Sequence, residues 1–581
     1  MSQITHLRCL YFELGFLTSL AIMYKPKNKY LKIICVLLLS LLTITAFAPN
    51  NASQSPKTET EKWREDLRYM AKQMPALHNN LFHTMSREQF DNAVKKLDDR
   101  IPSLTRHQII VELARIVAMV EDGHTNLRLA HDPEVRFHTL PVNLYFFKDE
   151  LFVRAANREY AELVGARIVR IGNVPVSEAT ARVRNLIGRD NEMDIKFFAP
   201  YLLVKPEILH ALEITNSLEN VQFTVETEGK QKVVSIKPTS STEIKELDDT
   251  DTSWLNELGW TDMRNKTSAP TPFWLKDINN KFWFEFLPDS KILYVQINEI
   301  GHKKEETLGA FSKRLFEFVE ANPVEKLVLD LRLNRGGNNT LFIPIITDII
   351  KSKINKRGKF FTIMGRSSWS AAQNFLNELE KYTNTLFVGE PSGSKGNTYG
   401  DSRRITLPNS KITARVSVYY WQDWYPWDTR QWTAPDLTAE LSPEDYKNNT
   451  DPAMKVIINY IPQKSLNAIL MEALTEGGVN LAIKRFREFK AQPINRYADT
   501  EQSILEAAGR LLDEKKNEET AAILQIYIEE NPRSFEAYYA LGEAYFRAGK
   551  KELAIANFER ALQLKPKSYN IAERLRQAKE K

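Results

Sequence analysis

The sequence predicts a multidomain α/β protein with helical regions at both ends, and three observations predict it. Between Ser290 and Glu390, short apolar runs (SKILYVQI, LVLDL, KFFTIMG, TLFVG) alternate with helical patterns, as strands alternating with helices do. From Trp63 to Ala130, apolar residues recur at helical intervals. At the other end, Pro532 and Pro566 stand 34 residues apart and bracket a repeating pattern.

Residues 1–52 differ from the rest. Lys25, Lys27, Lys29 and Lys32 precede Ile33–Ala48, a 16-residue apolar run ending in Ala46-Phe47-Ala48. A basic flank, a short apolar core and a small-x-small site describe a secretory leader better than a spanning helix of about 20 residues. Translation starting at Met23 gives a normal basic leader. Pro49 disfavours cleavage after Ala48, so cleavage after Ala52 and an uncleaved N-terminal anchor both stay open. The expectation is an exported protein, periplasmic or extracellular, with membrane association only through this segment. Both cysteines, Cys9 and Cys35, lie in the leader, which excludes disulfides, cysteine metal sites and a thiol nucleophile from the remainder. The leader also carries a net charge of +4 of the chain's +5, so the balance gives no support for nucleic-acid binding.

Residues 60–132 form a helical N-terminal region, with Leu67, Met70, Met74 and Leu77 in helical register. SREQFDNAVKKL and TRHQIIVELARIVAMVE each open on Ser or Thr with Gln close behind, a capping signal. Residues 135–240 read as a small β module. Its ELVGARIVRIGNVPVSEATARVRNLI stretch resembles the C-terminal half of a PDZ-type module, without an evident carboxylate-binding loop. Residues 241–276 read as a polar loop.

The chemistry concentrates in residues 277–462. KFFTIMG is a buried-strand pattern, and Ser370–Tyr382 follows as an amphipathic helix with Ala371, Phe375, Leu376 and Leu379 on one face. Ser370 sits at that helix's mouth, where unpaired N–H groups and the dipole favour negative charge. It reads either as an ordinary N-cap or as a nucleophile. A nucleophile needs a base. None of the nine histidines lies between Ser370 and the C-terminus, and the nearest upstream is His302. Lys395, in a Gly/Ser loop 25 residues on, is a base if burial or a nearby cation keeps it neutral, and otherwise a solvated charge. In LVLDLRLNRGGNN, Gly336 and Gly337 form a tight turn able to bring backbone N–H groups close to a ligand.

DLRLNRGG (Asp330–Gly337), GRSSWSAAQNF (Gly365–Phe375), LFVGEPSGSKGNTYG (Leu386–Gly400), ITLPNSKITARVS (Ile405–Ser417) and WTAPDL (Trp432–Leu437) occur in the order seen in the tail-specific, or C-terminal processing, serine peptidases, which this stretch resembles. The resemblance implies a crotonase-like ββα fold and a Ser–Lys dyad. It maps the nucleophile onto Ser370 and the lysine onto Lys395. VEDGHTNLRL (Val120–Leu129) is similar to an Asp-Gly-His-Thr element of many members, and His124 is expected to line the cleft or brace a loop. Gln373 stands where some members carry an acidic residue, and Gln296 where the tricorn-like branch carries histidine. A histidine-based tetrad is therefore not expected. Asp330 is expected to hold the Arg-Gly-Gly turn. Backbone N–H groups of Gly337 and Ala371 would hold the oxyanion, with Gly336, Gln373 and His124 lining the cleft. No metal or organic cofactor is implied.

The aromatic-rich SVYYWQDWYPWDTRQW (Ser417–Trp432) reads as core beneath a surface loop, or as a cleft wall gripping apolar substrate residues. Residues 465–581 read as tetratricopeptide-like repeats. Tyr538, Leu541, Gly542, Tyr545, Ala554, Phe558 and Ala561 occupy that repeat's positions, and small Gly542 and Ala554 let two helices approach. Such arrays bind proteins on a concave face. The sequence thus implies an exported serine endopeptidase that acts on polypeptides through an acyl-enzyme and a Ser–Lys dyad, with a protein partner for its tail. The alternatives are a non-catalytic binding member of the same fold, or a scaffold working through its repeats.

Overall fold

The structure, a computed structural model, describes residues 57–127, 129, 134, 137–239, 259–426 and 428–580. The leader lies outside the described residues. Residues 62–581 form one compact unit.

The central sheet has six strands: β9 (Phe282–Leu287), β10 (Ile292–Ile297), β11 (Lys326–Asp330), β12 (Phe360–Met364), β13 (Leu386–Gly389) and β18 (Leu437–Thr438), in the order β18-β13-β12-β11-β10-β9. Neighbours from β10 to β18 run parallel, and β9 joins antiparallel at the edge. Both faces are covered, which is why these strands read as continuous apolar runs. One face, with Leu293, Leu329 and Phe360, packs on α8 (Leu308–Ala321), α9 (Ile343–Lys351) and α10 (Ala371–Tyr382) through Phe311, Ile345 and Phe375. The other, with Tyr294, Val328 and Phe361, packs on Met454 and Ile457 of α12 (Pro452–Ile458).

The N-terminal helices α1 (Glu59–Leu77), α2 (Arg87–Arg100) and α3 (Arg106–Ala118) form as their caps predict. Ser86 and Thr105 each close a capping box with the Gln three residues on. A second sheet runs β2-β3-β4-β6-β7 through β2 (Val142–Phe147), β3 (Glu150–Asn157), β4 (Arg167–Ile171), β6 (Val221–Thr227) and β7 (Lys230–Ile236), with β5 (Val174–Pro175) beside β4. The predicted polar loop is corrected in its described part. Trp260–Asp262 forms β8, which pairs with β3, because Tyr446 Oη donates to Asp262 and buries it.

Two junctions matter for function. The hairpin of β15 (Arg403–Thr406) and β16 (Thr413–Val416) lies late in the chain, yet Ile405, Leu407 and Ile412 join the core of the N-terminal helices. There, β1 (Asn126–Leu127) pairs with β16, Asn126 opposite Arg415. In addition, α13 (Leu466–Ala491) and the turn after it precede the helical repeats α14 (Glu501–Asp513), α15 (Asn517–Glu530), α16 (Phe535–Arg547), α17 (Lys551–Leu564) and α18 (Tyr569–Glu580). A Cβ at Gly542 would lie 2.6 Å from the Phe558 ring, so glycine is required for α16 and α17 to meet.

Candidate active site

Ser370 precedes α10 with φ 57° and ψ −127°, a conformation that costs a non-glycine residue roughly 1–3 kcal/mol. Its side chain caps no helix N–H. Instead, Ser370 Oγ lies 3.0 Å from His124 Nε2. His124, expected to line the cleft or brace a loop, thus lies within hydrogen-bond distance of the serine. The β1–β16 pairing carries His124 across 246 residues of sequence to the helix mouth, a distance at which local spacing says nothing.

The histidine is fixed by three contacts with its surroundings. The Trp369 ring stacks on it, with centroids 3.9 Å apart and planes inclined by 18°. Asp122 Oδ1 accepts the His124 and Thr125 N–H groups and the Ser417 hydroxyl, and Asp122 Oδ2 pairs with His78 Nε2 at 2.8 Å. His78 Nδ1 accepts the Asn80 N–H, so Nε2 carries the proton facing Asp122. Burial pushes the Asp122 carboxyl up, but hydrogen bonds from His78, Thr125 and Ser417 outweigh it and hold it at about 2. Below the loop, Asp190 Oδ1 accepts the Gly123 N–H at 2.9 Å.

Burial pushes the His124 imidazole down to about 4, against the pull of Asp122 and Asp401 toward the charged form. The ring is neutral at neutral pH and can accept the Ser370 proton. His124 Nδ1 is buried without a hydrogen bond of ordinary geometry, although the Tyr399 backbone favours its charged form.

Lys395 follows β13 in its loop. Among the described residues it makes no hydrogen bond to Ser370. Its neighbour Ser394 accepts the Ser370 N–H at 3.5 Å, and the lysine's charge is felt at Asp190 and His83. Burial pushes the Asp190 carboxyl up to about 6, with Lys395 pulling the other way.

The glycine turn lies against the nucleophile. A Cβ on Gly336 would lie 2.8 Å from Ala371 N and 2.9 Å from Ser370 Cβ, and one on Gly337 would lie 2.1 Å from the Ile300 carbonyl. Both glycines have positive φ, at 104° and 137°. Among the described residues, neither the Gly337 nor the Ala371 N–H donates to another group, and both residues line the cleft beside Ser370. Two such donors at a helix mouth suit a developing oxyanion.

Two further expectations are corrected. Gln373 does not line the cleft. It is fully buried and donates to Asn377 and Thr433, because the helical register turns Asn374 toward the opening instead. Nor does Asp330 hold the glycine turn. It accepts from Tyr294 and Arg332, while Asn334 accepts the Gly336 N–H and donates to the Ile297 carbonyl. The Asx signal of Asn334 two residues before Gly336 could have found this. The aromatic segment is not core: Tyr419, Tyr420 and Trp421 are exposed on β17 (Tyr419–Gln422), which pairs with β14 (Asn397–Gly400), and Trp421 borders the cleft.

A strained serine paired with a neutral base beside two unused N–H groups defines a serine-type peptidase site on this α/β fold. Residues 291–437 match Peptidase family S41, and residues 535–568 match the tetratricopeptide repeat. The chain thus joins a segment matching the S41 peptidase model to a tetratricopeptide repeat. No curated protein sequence matches it. Among solved structures, it is similar to mature CPAF complexed with lactacystin (11% identity, TM-score 0.47, covering 69% of this chain and 99% of that one). It is also similar to the photosystem II D1 C-terminal processing protease (13%, 0.32, 69% and 97%). Its tail is similar to the first tetratricopeptide domain of Spaghetti (RPAP3) bound to an HSP90 peptide (22%, 0.16, 20% and 88%).

Proposed function

We propose that the protein is an exported endopeptidase that cleaves polypeptides through an acyl-enzyme on Ser370, with His124 as general base. The observation that carries this reading is the 3.0 Å contact between Ser370 Oγ and His124 Nε2. The hydroxyl proton passes to Nε2 as Oγ attacks the peptide carbonyl, and the N–H groups of Gly337 and Ala371 receive the oxyanion. The protonated imidazole then gives its proton to the departing amine. Water, deprotonated by the same nitrogen, hydrolyses the ester and restores Ser370. The exposed aromatic ribbon would hold apolar substrate residues beside the cleft. Export rests on the leader's basic flank and apolar core, and the tail would hold a protein partner.

A second reading, with Lys395 as base, is supported by the hydrogen bond of its neighbour Ser394 to the Ser370 backbone. Turnover of a fluorogenic peptide by Ser370→Ala, His124→Gln and Lys395→Met separates the two. Loss with Ser370→Ala and His124→Gln, and a surviving kcat with Lys395→Met, supports histidine. Loss with Lys395→Met and full activity in His124→Gln supports the lysine. Activity in Ser370→Ala overturns both.

A further inference from the structure

A second cavity, of about 140 Å³, lies between the seven-stranded sheet and the C-terminal ends of β11, β12 and β13. Ser370, His124 and Lys395 do not border it. Crevices at such strand ends are where open α/β sheets take ligands. Its floor is apolar, with Leu144, Leu275, Ile363 and Pro452. In size it compares with an engineered apolar cavity of about 150 Å³ that takes up benzene.

The polar lining is one-sided. Arg154, Lys196, Arg332, Arg335 and Arg366 face two carboxylates, Glu390 and Glu440. Those carboxylates are already engaged: both oxygens of Glu390 accept from Arg366, and Glu440 accepts from Arg496 and Tyr497. Lys196 pairs with Asp149, and Arg332 with Asp330 and Asp451, so the capacity left for donation lies with Arg366 and Trp274. Arg366 also donates to the Phe146 carbonyl, which leaves part of its five-donor fork unused. Trp274, only 7% exposed, has an indole N–H with no partner, an arrangement that is unfavourable unless something accepts it. A ligand that completes this cavity brings an acceptor, negative charge and an apolar body of roughly one ring.

We propose that this cavity is a binding site for a small apolar carboxylate, with the carboxylate received by Trp274 and Arg366 and its ring or branched alkyl body on the Leu144–Leu275 floor. Two sources share that chemistry: a free aryl or alkyl acid, and the C-terminal residue of a peptide. Titration calorimetry on the full chain, with phenylacetate and its neutral isostere 2-phenylacetamide, tests the site directly. Saturable binding of phenylacetate is expected, with the amide at least tenfold weaker. Trp274→Phe, which keeps the ring and removes the N–H, should weaken phenylacetate about tenfold or more. Ala453→Leu, which fills the cavity, should abolish binding. N-acetyl-Ala-Phe binding more tightly than phenylacetate assigns the site to a polypeptide terminus, and the reverse order assigns it to a free acid. Absence of saturable binding, equal affinity for acid and amide, or unchanged binding in both folded variants overturns the proposal.

Discussion

At Ser370 the backbone is held where a side chain is disfavoured, and the surrounding residues hold it there. Trp369 N–H donates to the Asn334 carbonyl, and the same asparagine fixes Gly336, so the nucleophile and the oxyanion turn share one anchor. Gly336→Ala would press a methyl group against Ala371 N. Its kcat should fall about 10²–10³-fold, the range seen when an oxyanion donor is removed, while thermal unfolding shows a folded protein. The His124 imidazole, pushed down to about 4, loses a proton as pH rises through that value and is the competent base above it. The acid limb of kcat/KM should therefore lie near pH 4 rather than near the ordinary 6.5, and initial rates from pH 3 to 9 measure it. An activity that rises only on the alkaline side would instead identify Lys395.

Asp190 makes the opposite case. Its carboxyl is raised to about 6 from an ordinary 3.8, so its contribution to stability is fully present below pH 3.8 and is lost as pH rises through 6. Asp190→Asn keeps an oxygen for the Gly123 N–H and removes the charge. At pH 8 it should be more stable than the parent, by an amount on the order of 3 kcal/mol for a rise of about two pKa units. At pH 4 the two should converge, and denaturant unfolding at both pH values checks it.

At the scale of elements, the site is where two sheets and a late hairpin meet. The helix mouth at Ser370 and the glycine pair at 336–337 were legible because each is a local pattern: apolar periodicity, a glycine turn, a strand ending where a helix starts. His124 was legible as a cleft residue only through the resemblance of its Asp-Gly-His-Thr element; its contact with Ser370 was not, because that depends on β1 finding β16, and no local periodicity encodes a pairing between distant segments. Gln373 and Asn374 show the limit within a helix, where one residue of register separates a buried amide from a cleft-facing one. The β14–β17 ribbon was ambiguous because aromatic residues suit both core and cleft. On β17 every residue is exposed. Trp421→Ala should raise KM for peptides with apolar residues about three- to tenfold and leave kcat nearly unchanged, as measured across a series of apolar and charged peptides.

At the scale of the whole molecule, the segment between peptidase and repeats is tied to both sides. Arg496 donates to Glu440 and pairs with Asp149, Tyr497 donates to Glu440, and Ile494 packs on the core beneath the central sheet. Residues 494–497 thus hold to the peptidase, whereas Leu466, Leu470, Leu474 and Phe486 of α13 pack in the core of the repeats. A chain ending at Lys464 loses the Arg496 and Tyr497 contacts to Glu440 and the packing of Ile494, and should melt at a lower temperature than the full chain. A chain ending at Thr500 keeps these contacts and should keep its turnover of a short peptide, although it uncovers the face of α13 that packs on the repeats. Differential scanning calorimetry and peptide assays on the two truncations measure what the contacts of residues 494–497 contribute; equal stability would show that they contribute nothing.

The pairing of Asn126 with Arg415 has a consequence for the order of events during synthesis. The base and the nucleophile cannot meet until the hairpin ending at Val416 has been made, some 290 residues after His124. Domains form N-terminal first as a chain emerges, so the early helices fold around a gap that only the late hairpin fills. A nascent or prematurely terminated chain therefore carries the histidine, and even the serine, without activity. Hydrolytic competence waits on the hairpin ending at Val416, a delay built into the topology.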